Sequence, residues 1–174
     1  VAKKKKEVVP ESEIYKVYTD GSTKPTNPGP GGYAAIVSIG DQRVELSKGY
    51  FMTTNNRMEL MGIIATLEEF GPGKTFVFYT DSQHTIDCAT KYLKGWSRTG
   101  WISFKTQQAI KNQDLWKIYQ ELLALNQVSY VKVLAHSGIP ENEAADKLAK
   151  KAAENPTTVD EGYVVPLRPG YGKR

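Results

Sequence analysis

Cysteine is nearly missing from this chain: Cys88 stands alone among 174 residues. No internal disulfide can form, and such a chain suits a reducing, cytoplasmic setting. Cys88 itself reads as a small, half-buried residue on a helix. Long apolar runs are missing too, and no stretch approaches the ~20 residues that a membrane-spanning helix needs. The amino-terminal segment is basic but has no apolar stretch behind it, so it does not read as a secretory signal. The Pro- and Gly-rich stretch from Lys24 to Gly32 lacks the Gly-Lys-Ser/Thr ending of a phosphate loop, and reads as a tight turn between strands. Internal repeats are absent. What remains is ordinary globular composition, 40% hydrophobic and 24% charged, in a length that suits one domain with a proper core.

The net charge is +4, and its distribution says more than its size. Residues 1–10 hold four lysines against one glutamate. Residues 94–117 hold Lys94, Arg98, Lys105, Lys111 and Lys117 against Asp114. The rest of the chain leans acidic. Basic patches on an acid-leaning body suit a polyanion partner, although a lysine run is more often a solvated tail.

Periodicity sets out the elements. Tyr15 to Thr19 alternates as a short strand ending on Asp20, with a sharp turn expected at Gly21. Phe76 to Thr80 repeats the design and ends on Asp81. Tyr33–Ile39 and Gln42–Met52 form an antiparallel hairpin, the second strand placing Val44, Leu46, Tyr50 and Met52 on one face. Thr53 to Asn56 offers helix caps. The helix that follows runs to Phe70, with Leu60, Ile63, Ile64 and Leu67 as its core stripe and Glu59 in its first turn at the edge of that stripe. A helix from Ser82 to Leu93 turns Ile86, Ala89 and Leu93 inward, and stacks Tyr92 under Trp96. The next segment interleaves Trp96, Trp101 and Phe104 with Arg98 and Lys105, a combination suited to gripping a nucleic-acid backbone. Asp114–Leu125 reads as a helix with Leu115, Ile118, Leu122 and Leu125 inward, and Val128–Leu134 as the last strand. His136 sits in a loop. The final helix opens at Pro140 and runs to Glu154, with Glu141 and Glu143, and Asp146 after them, counted to its first turns. The expected fold class is α/β: a mixed five-stranded sheet, hairpin plus parallel strands, with helices on both faces. The boundaries are a disordered basic arm over 1–13, one domain over 14–155 and a flexible extension over 156–174.

Four acids stand out: Asp20, Glu59, Asp81 and Asp146. If the two Asp strands are parallel neighbours, Asp20 and Asp81 meet at one end of the sheet. Carboxylates at ~4 Å repel by several kcal/mol even at an effective dielectric of about 20. Oxygen-only ligands answer that repulsion with Mg²⁺ or Mn²⁺. Two such ions ~4 Å apart suit an in-line phosphoryl displacement.

At these residues the chain resembles the type I ribonuclease H family in its bacterial form. The resemblance rests on Tyr18-Thr19-Asp20-Gly21-Ser22, on Asn27-Pro28-Gly29-Pro30-Gly31-Gly32-Tyr33, and on Thr53-Thr54-Asn55-Asn56-Arg57-Met58-Glu59-Leu60. It continues through Thr80-Asp81-Ser82-Gln83 and His136 to Asp146, and covers roughly residues 15 to 163. It implies a catalytic domain that hydrolyses the RNA strand of RNA–DNA hybrids, leaving 5′-phosphate and 3′-hydroxyl ends. Asp20, Glu59, Asp81 and Asp146 are then expected to hold two Mg²⁺, with Mn²⁺ as a substitute, and His136 to move protons or release product. Asn27, Asn55 and Gln83 become contacts around the minor groove, where 2′-hydroxyls distinguish RNA from DNA. Thr54 becomes a DNA-phosphate contact, and Tyr92 and Trp96 line the channel for the DNA strand. Three departures from the family pattern stand out: one extra residue in the loop after Asp20, a less basic protrusion around Ser97–Gln108, and Ala135 in place of a glycine before His136. A monomer is expected. The alternatives are a catalytically silent hybrid-binding protein and a DNA-acting nuclease of the same superfold.

Overall fold

The computed structural model describes residues 8–164. Strands β1 (Ile14–Thr23), β2 (Gly29–Ile39), β3 (Gln42–Thr53), β4 (Thr75–Thr80) and β5 (Gln127–Lys132) form one sheet in the order β3-β2-β1-β4-β5. The β1–β2 and β2–β3 pairs are antiparallel; β1–β4 and β4–β5 are parallel. Helices α1 (Asn55–Phe70) and α4 (Gln113–Leu125) cover one face and α5 (Pro140–Glu154) the other. Between β4 and α4 runs a helix in three parts: α2 (Gln83–Asp87), a π turn over Cys88–Tyr92, and α3 (Leu93–Arg98). The expected α/β fold with a mixed five-stranded sheet and helices on both faces is what the chain adopts. Among the described residues no helix is long and apolar enough to cross a membrane.

The main core lies between the sheet and α1, α3 and α4. Val17, Ala35, Val37, Phe76 and Phe78 of the strands meet Leu60, Ile63, Ile64 and Leu67 of α1, the stripe expected from helical spacing. Cys88 is buried there as well, deeper than half-burial. On the opposite face α5 lies almost against the backbone of β2. A Cβ added at Gly32 would come within 2.6 Å of Ala152 Cβ, so small residues on both sides set that spacing.

Five local expectations are corrected. β1 does not turn at Gly21; it continues to Thr23, because Gly21, Ser22 and Thr23 still pair with Tyr33, Gly32 and Gly31 of β2. Met52 is 42% exposed rather than inward. A one-residue register shift opposite Gly29–Gly31 flips the phase of β3 after Tyr50 and sends Thr53 inward instead, as a bulge does in a period of two. α4 buries Leu115, Trp116 and Tyr119 and leaves Ile118 and Leu125 outward. Its aromatic rings carry more area than the aliphatics, and Trp116 packs edge-on against both Trp96 and Tyr119. Glu59 and Asp146 lie past the first turns of α1 and α5, so neither is a helix-dipole residue.

The fifth correction concerns the expected loose extension. Thr157 and Thr158 donate their backbone N–H groups to Gly49 O at 3.0 and 3.1 Å, and Phe51 N–H donates to Thr158 O at 3.0 Å. Asp160 then accepts from Arg57 Nε at 2.7 Å, Arg57 Nη2 at 2.9 Å and Thr53 Oγ1 at 2.7 Å. Residues 1–7 of the basic arm and 165–174 of the extension lie outside the described residues. Arg57 is 2% exposed and also makes a two-pronged pair with Asp114 at 2.8 Å per bond. One buried guanidinium thus ties α1, the start of α4 and the carboxy-terminal segment together.

Removing one partner of a buried charge leaves the other exposed to its full desolvation cost. Asp160→Ala should therefore lower unfolding free energy by about 2–4 kcal/mol in urea titration; a loss below ~0.5 kcal/mol, the scale of an ordinary surface substitution, would contradict the role given to this pair.

Candidate active site

The parallel register of β1 and β4 ends with Tyr18 opposite Tyr79. Two residues further, the alternation brings Asp20 and Asp81 to the same edge of the sheet. Glu59 arrives from α1, and Gly21 is what lets it. A Cβ there would lie 2.5 Å from Glu59 N and 2.8 Å from Met58 C. These are helix backbone atoms that cannot step aside individually. Thr54 caps the helix, its Oγ1 accepting from Arg57 N–H at 3.3 Å, and Arg57 fixes the same turn from inside.

Asp20, Glu59 and Asp81 each present a carboxylate oxygen within 4.8 Å of the others. Asp20 and Glu59 are buried and Asp81 half-buried. The Asp20 and Glu59 carboxyl groups lie side by side in this cluster, and Asp20 Oδ1 accepts the Gly21 N–H at 2.9 Å. Asp146 lies at the margin of the cluster on α5, near enough to Asp20 for each to act on the other's charge, while Lys150 Nζ donates to its Oδ2 at 2.8 Å. The structure thus brings all four expected acids to one place, three tightly and the fourth at their margin.

Burial pushes Asp20 up to about 7, with the neighbouring Asp81 and Asp146 charges adding to the effect. Burial first, and then the Asp20 carboxylate, drives Glu59 well above the usual range. Asp146 goes the other way: burial opposes its charge, but the Lys150 hydrogen bond, with Asp20 and the His136 charge nearby, holds it below its ordinary value. Glu59 Oε2 is buried and has no hydrogen-bond partner. An oxygen-only donor set with an unpartnered buried carboxylate oxygen fits a hard divalent cation.

His136 is exposed on the loop between β5 and α5, in a left-handed conformation with φ 54°, and its charge favours ionised Asp146. Asn27 and Asn55 come together despite their separation in sequence. Asn27 Oδ1 accepts the Asn55 N–H at 3.1 Å, and Asn55 Oδ1 accepts from Thr23 Oγ1 at 2.9 Å. Gln83 follows the Ser82 cap of α2 and donates to Asp87 Oδ1 at 2.9 Å. Tyr92 is 51% exposed with its ring 6.2 Å from that of Trp96. Trp96 is divided between surface and core, since it also packs on Trp101 and Trp116.

Some residues at the site had not been singled out from sequence. Lys150 lies one turn beyond Asp146, an i,i+4 spacing that was visible. Lys132, at the end of β5, donates to the Asp81 carbonyl oxygen. Beside Thr54 and Asn27 opens a cavity of ≈ 590 Å³ whose wall includes Lys111 and Asn112. Asn112 is left-handed (φ 60°) at the head of α4, a conformation asparagine tolerates better than most residues.

Comparison with known proteins agrees with this geometry. A family model described as RNase H matches residues 12–154. The chain is 46% identical over 150 residues to the ribonuclease HI of Synechocystis, covering 84% of this chain and 92% of that one. It is 43% identical over 148 residues to a Salmonella arizonae ribonuclease H, covering 85% and 94%. Among solved structures it resembles LC9-RNase H1, a type 1 RNase H with the type 2 active-site motif, with a TM-score of 0.74, 29% identity and coverage of 86% and 76%.

Two outcomes follow from the packing and the charges. Gly21→Ala should destabilise the protein by about 1–3 kcal/mol, as overpacking does, and weaken divalent-ion binding together with it, read by calorimetry; unchanged ion affinity would separate Gly21 from the placement of Glu59. The raised Asp20 and Glu59 carboxyls bind protons more tightly folded than unfolded. Their stabilising contribution is full below the ordinary carboxylate range near pH 4 and is lost as pH rises through about 7. In chelator, Asp20→Asn should therefore be more stable than wild type at pH 8, by on the order of 2–4 kcal/mol, with the difference shrinking toward pH 4. An equal Tm for the two proteins across that range would contradict the assignment.

Proposed function

The chain belongs to the ribonuclease H family, in its type 1, bacterial-type branch, and from this we infer that it is a metal-dependent endoribonuclease that hydrolyses the RNA strand of RNA–DNA hybrids, leaving 5′-phosphate and 3′-hydroxyl ends. The observation that carries the reading is the buried carboxylate cluster of Asp20, Glu59 and Asp81, with its unpartnered Glu59 oxygen, in a chain 46% identical to a ribonuclease HI.

Asp20, Glu59, Asp81 and Asp146 are the residues that would hold two Mg²⁺, or Mn²⁺ in their place. The ions supply Lewis acidity at the scissile phosphate and a nucleophilic water at neutral pH. Asp20 is common to both halves of the site, clustered with Glu59 and Asp81 and acted on by the Asp146 charge. His136, exposed in a loop and near enough to Asp146 to favour its charge, would take or return a proton. Asn27, Asn55 and Gln83 would read the minor groove; the bond from Asn55 N–H to Asn27 Oδ1 and that from Thr23 Oγ1 to Asn55 Oδ1 support a pre-set geometry for Asn27 and Asn55. Thr54 would contact a DNA phosphate at the mouth of the cavity, with Lys111 and Asn112 on its wall. Tyr92 and Trp96 would bed the DNA strand. A cytoplasmic monomer belongs to the same reading; one buried cysteine is at home in a reducing compartment.

A labelled RNA–DNA hybrid, single-stranded RNA and duplex DNA, each with Mg²⁺ and with chelator, test this. Only the RNA of the hybrid should be cut, and only with the ion. Asp20→Asn should lower kcat by more than roughly 10³-fold, the scale on which one preorganised catalytic group is felt, while leaving the fold intact by circular dichroism. Cleavage of duplex DNA, or an active Asp20→Asn, would overturn the assignment.

A further inference from the structure

A hybrid is a polyanion, yet the body that would bind it is not basic. Residues 8–164 hold fewer lysines and arginines than aspartates and glutamates. The net charge of +4 comes from two short stretches: residues 1–7, with Lys3 to Lys6 against Glu7, and residues 165–174, with Arg168, Lys173 and Arg174 and no acid. The fold sends these stretches out at opposite ends of the sheet. Ile14 and Thr75 open β1 and β4 side by side, and Val9 lies by that starting end with Gly73, Lys74 and Gln127. Six residues of strand, roughly 20 Å, separate Ile14 from Asp20. The carboxy-terminal stretch departs instead beside the site. Thr158 bridges to Tyr50, Asp160 is locked on Arg57, and the Tyr163 N–H turns back to Asp160 O at 3.1 Å. This strap leaves Gly162, Tyr163 and Val164 on the wall of the cavity that holds Thr54 and Lys111.

We propose that residues 165–174 are a basic arm that binds phosphates of the DNA strand on either side of the one at Thr54, and that the strap from Thr157 to Val164 delivers the arm to that place. The proposal rests on the hybrid-cleaving reading given above. Its support is the point of departure together with the charge. Val164 is 81% exposed at the cavity wall. An extended chain spans at most ~3.3–3.6 Å per residue, so Arg168 stays within about 14 Å of Val164, and Lys173 and Arg174 within roughly 35 Å. Several phosphates of one strand fall inside that reach, at ~3.4 Å of helix rise each. Once the cavity is occupied, each further contact is intramolecular, and the tether keeps the cations at high local concentration. The lysines of residues 3–6 have the same sign and larger number but start from the far end of the sheet.

The experiment measures hybrid affinity in chelator by fluorescence anisotropy across a salt series, KM and kcat with Mg²⁺, and Tm. Wild type is compared with a tail variant (Arg168→Gln, Lys173→Gln and Arg174→Gln together), a charge-keeping variant (Arg168→Lys with Arg174→Lys) and an arm variant in which Lys3, Lys4, Lys5 and Lys6 are all replaced by Gln. The tail variant should bind roughly tenfold more weakly at about 50 mM salt, with a log affinity against log salt plot shallower by about two to three, as the loss of three phosphate contacts requires. Its KM should rise in proportion, with kcat and Tm unchanged. The charge-keeping variant should match wild type. The arm variant gives up four charges and should still lose less affinity than the tail variant. Wild-type affinity and slope in the tail variant, or an arm variant at least as weak as it, would overturn the proposal, and so would a tail variant whose Tm falls along with its affinity. A wild-type protein that binds the hybrid without cutting it would sink the enzymatic reading instead, and the affinities would still decide the role of residues 165–174.

Discussion

Three carboxylates forced within 4.8 Å of one another in a mostly buried corner are the constraint on which the rest of the molecule depends. At that spacing each ionised pair costs about 3 kcal/mol at an effective dielectric of 20. Left to itself, the chain would relieve this by moving α1 away from the end of β1. It cannot, because the core stripe of α1 is buried against the sheet and the Gly21 contact leaves no slack. The protein instead keeps its protons: burial first, and the neighbouring carboxylates after it, raise Asp20 and Glu59. Fold stability is spent to hold open a place that a divalent cation completes.

The treatment of Arg57 shows the same logic in reverse. Its guanidinium is as buried as Glu59, yet it is bonded to both Asp114 and Asp160. Two residues apart on one helix, one side chain is fully satisfied and the other keeps a buried oxygen, Glu59 Oε2, without a partner. Local rules are broken where chemistry needs it and obeyed next door. Because Arg57 anchors the turn that also carries the Thr54 cap, the carboxy-terminal segment and α4 help hold both the carboxylate cluster and the cavity beside it.

Much of this was legible in the sequence. The two Thr-Asp strand exits, the apolar stripe of α1 and the Pro140 start of α5 are local patterns, and they settled the sheet, the helices and the meeting of Asp20 with Asp81. What was not legible depended on contacts distant along the chain. The depth of Glu59 follows from the absence of a side chain at Gly21. The outward turn of Met52 follows from a bulge that only the β2 pairing reveals. The inward face of α4 was misjudged because Trp116 and Tyr119 rank below Ile118 and Leu125 in hydropathy but above them in buried area. Asp160 looked like one polar residue in a loose tail; its partner lies 103 positions away.

The central claim is that the four acids are one cation site, and the most direct measurement is anomalous diffraction from crystals of the protein with an RNA–DNA hybrid, grown with Mn²⁺. The account predicts two peaks, one among Asp20, Glu59 and Asp81 and one between Asp20 and Asp146. Peaks confined to other places, or none at these residues with the hybrid bound, would contradict it.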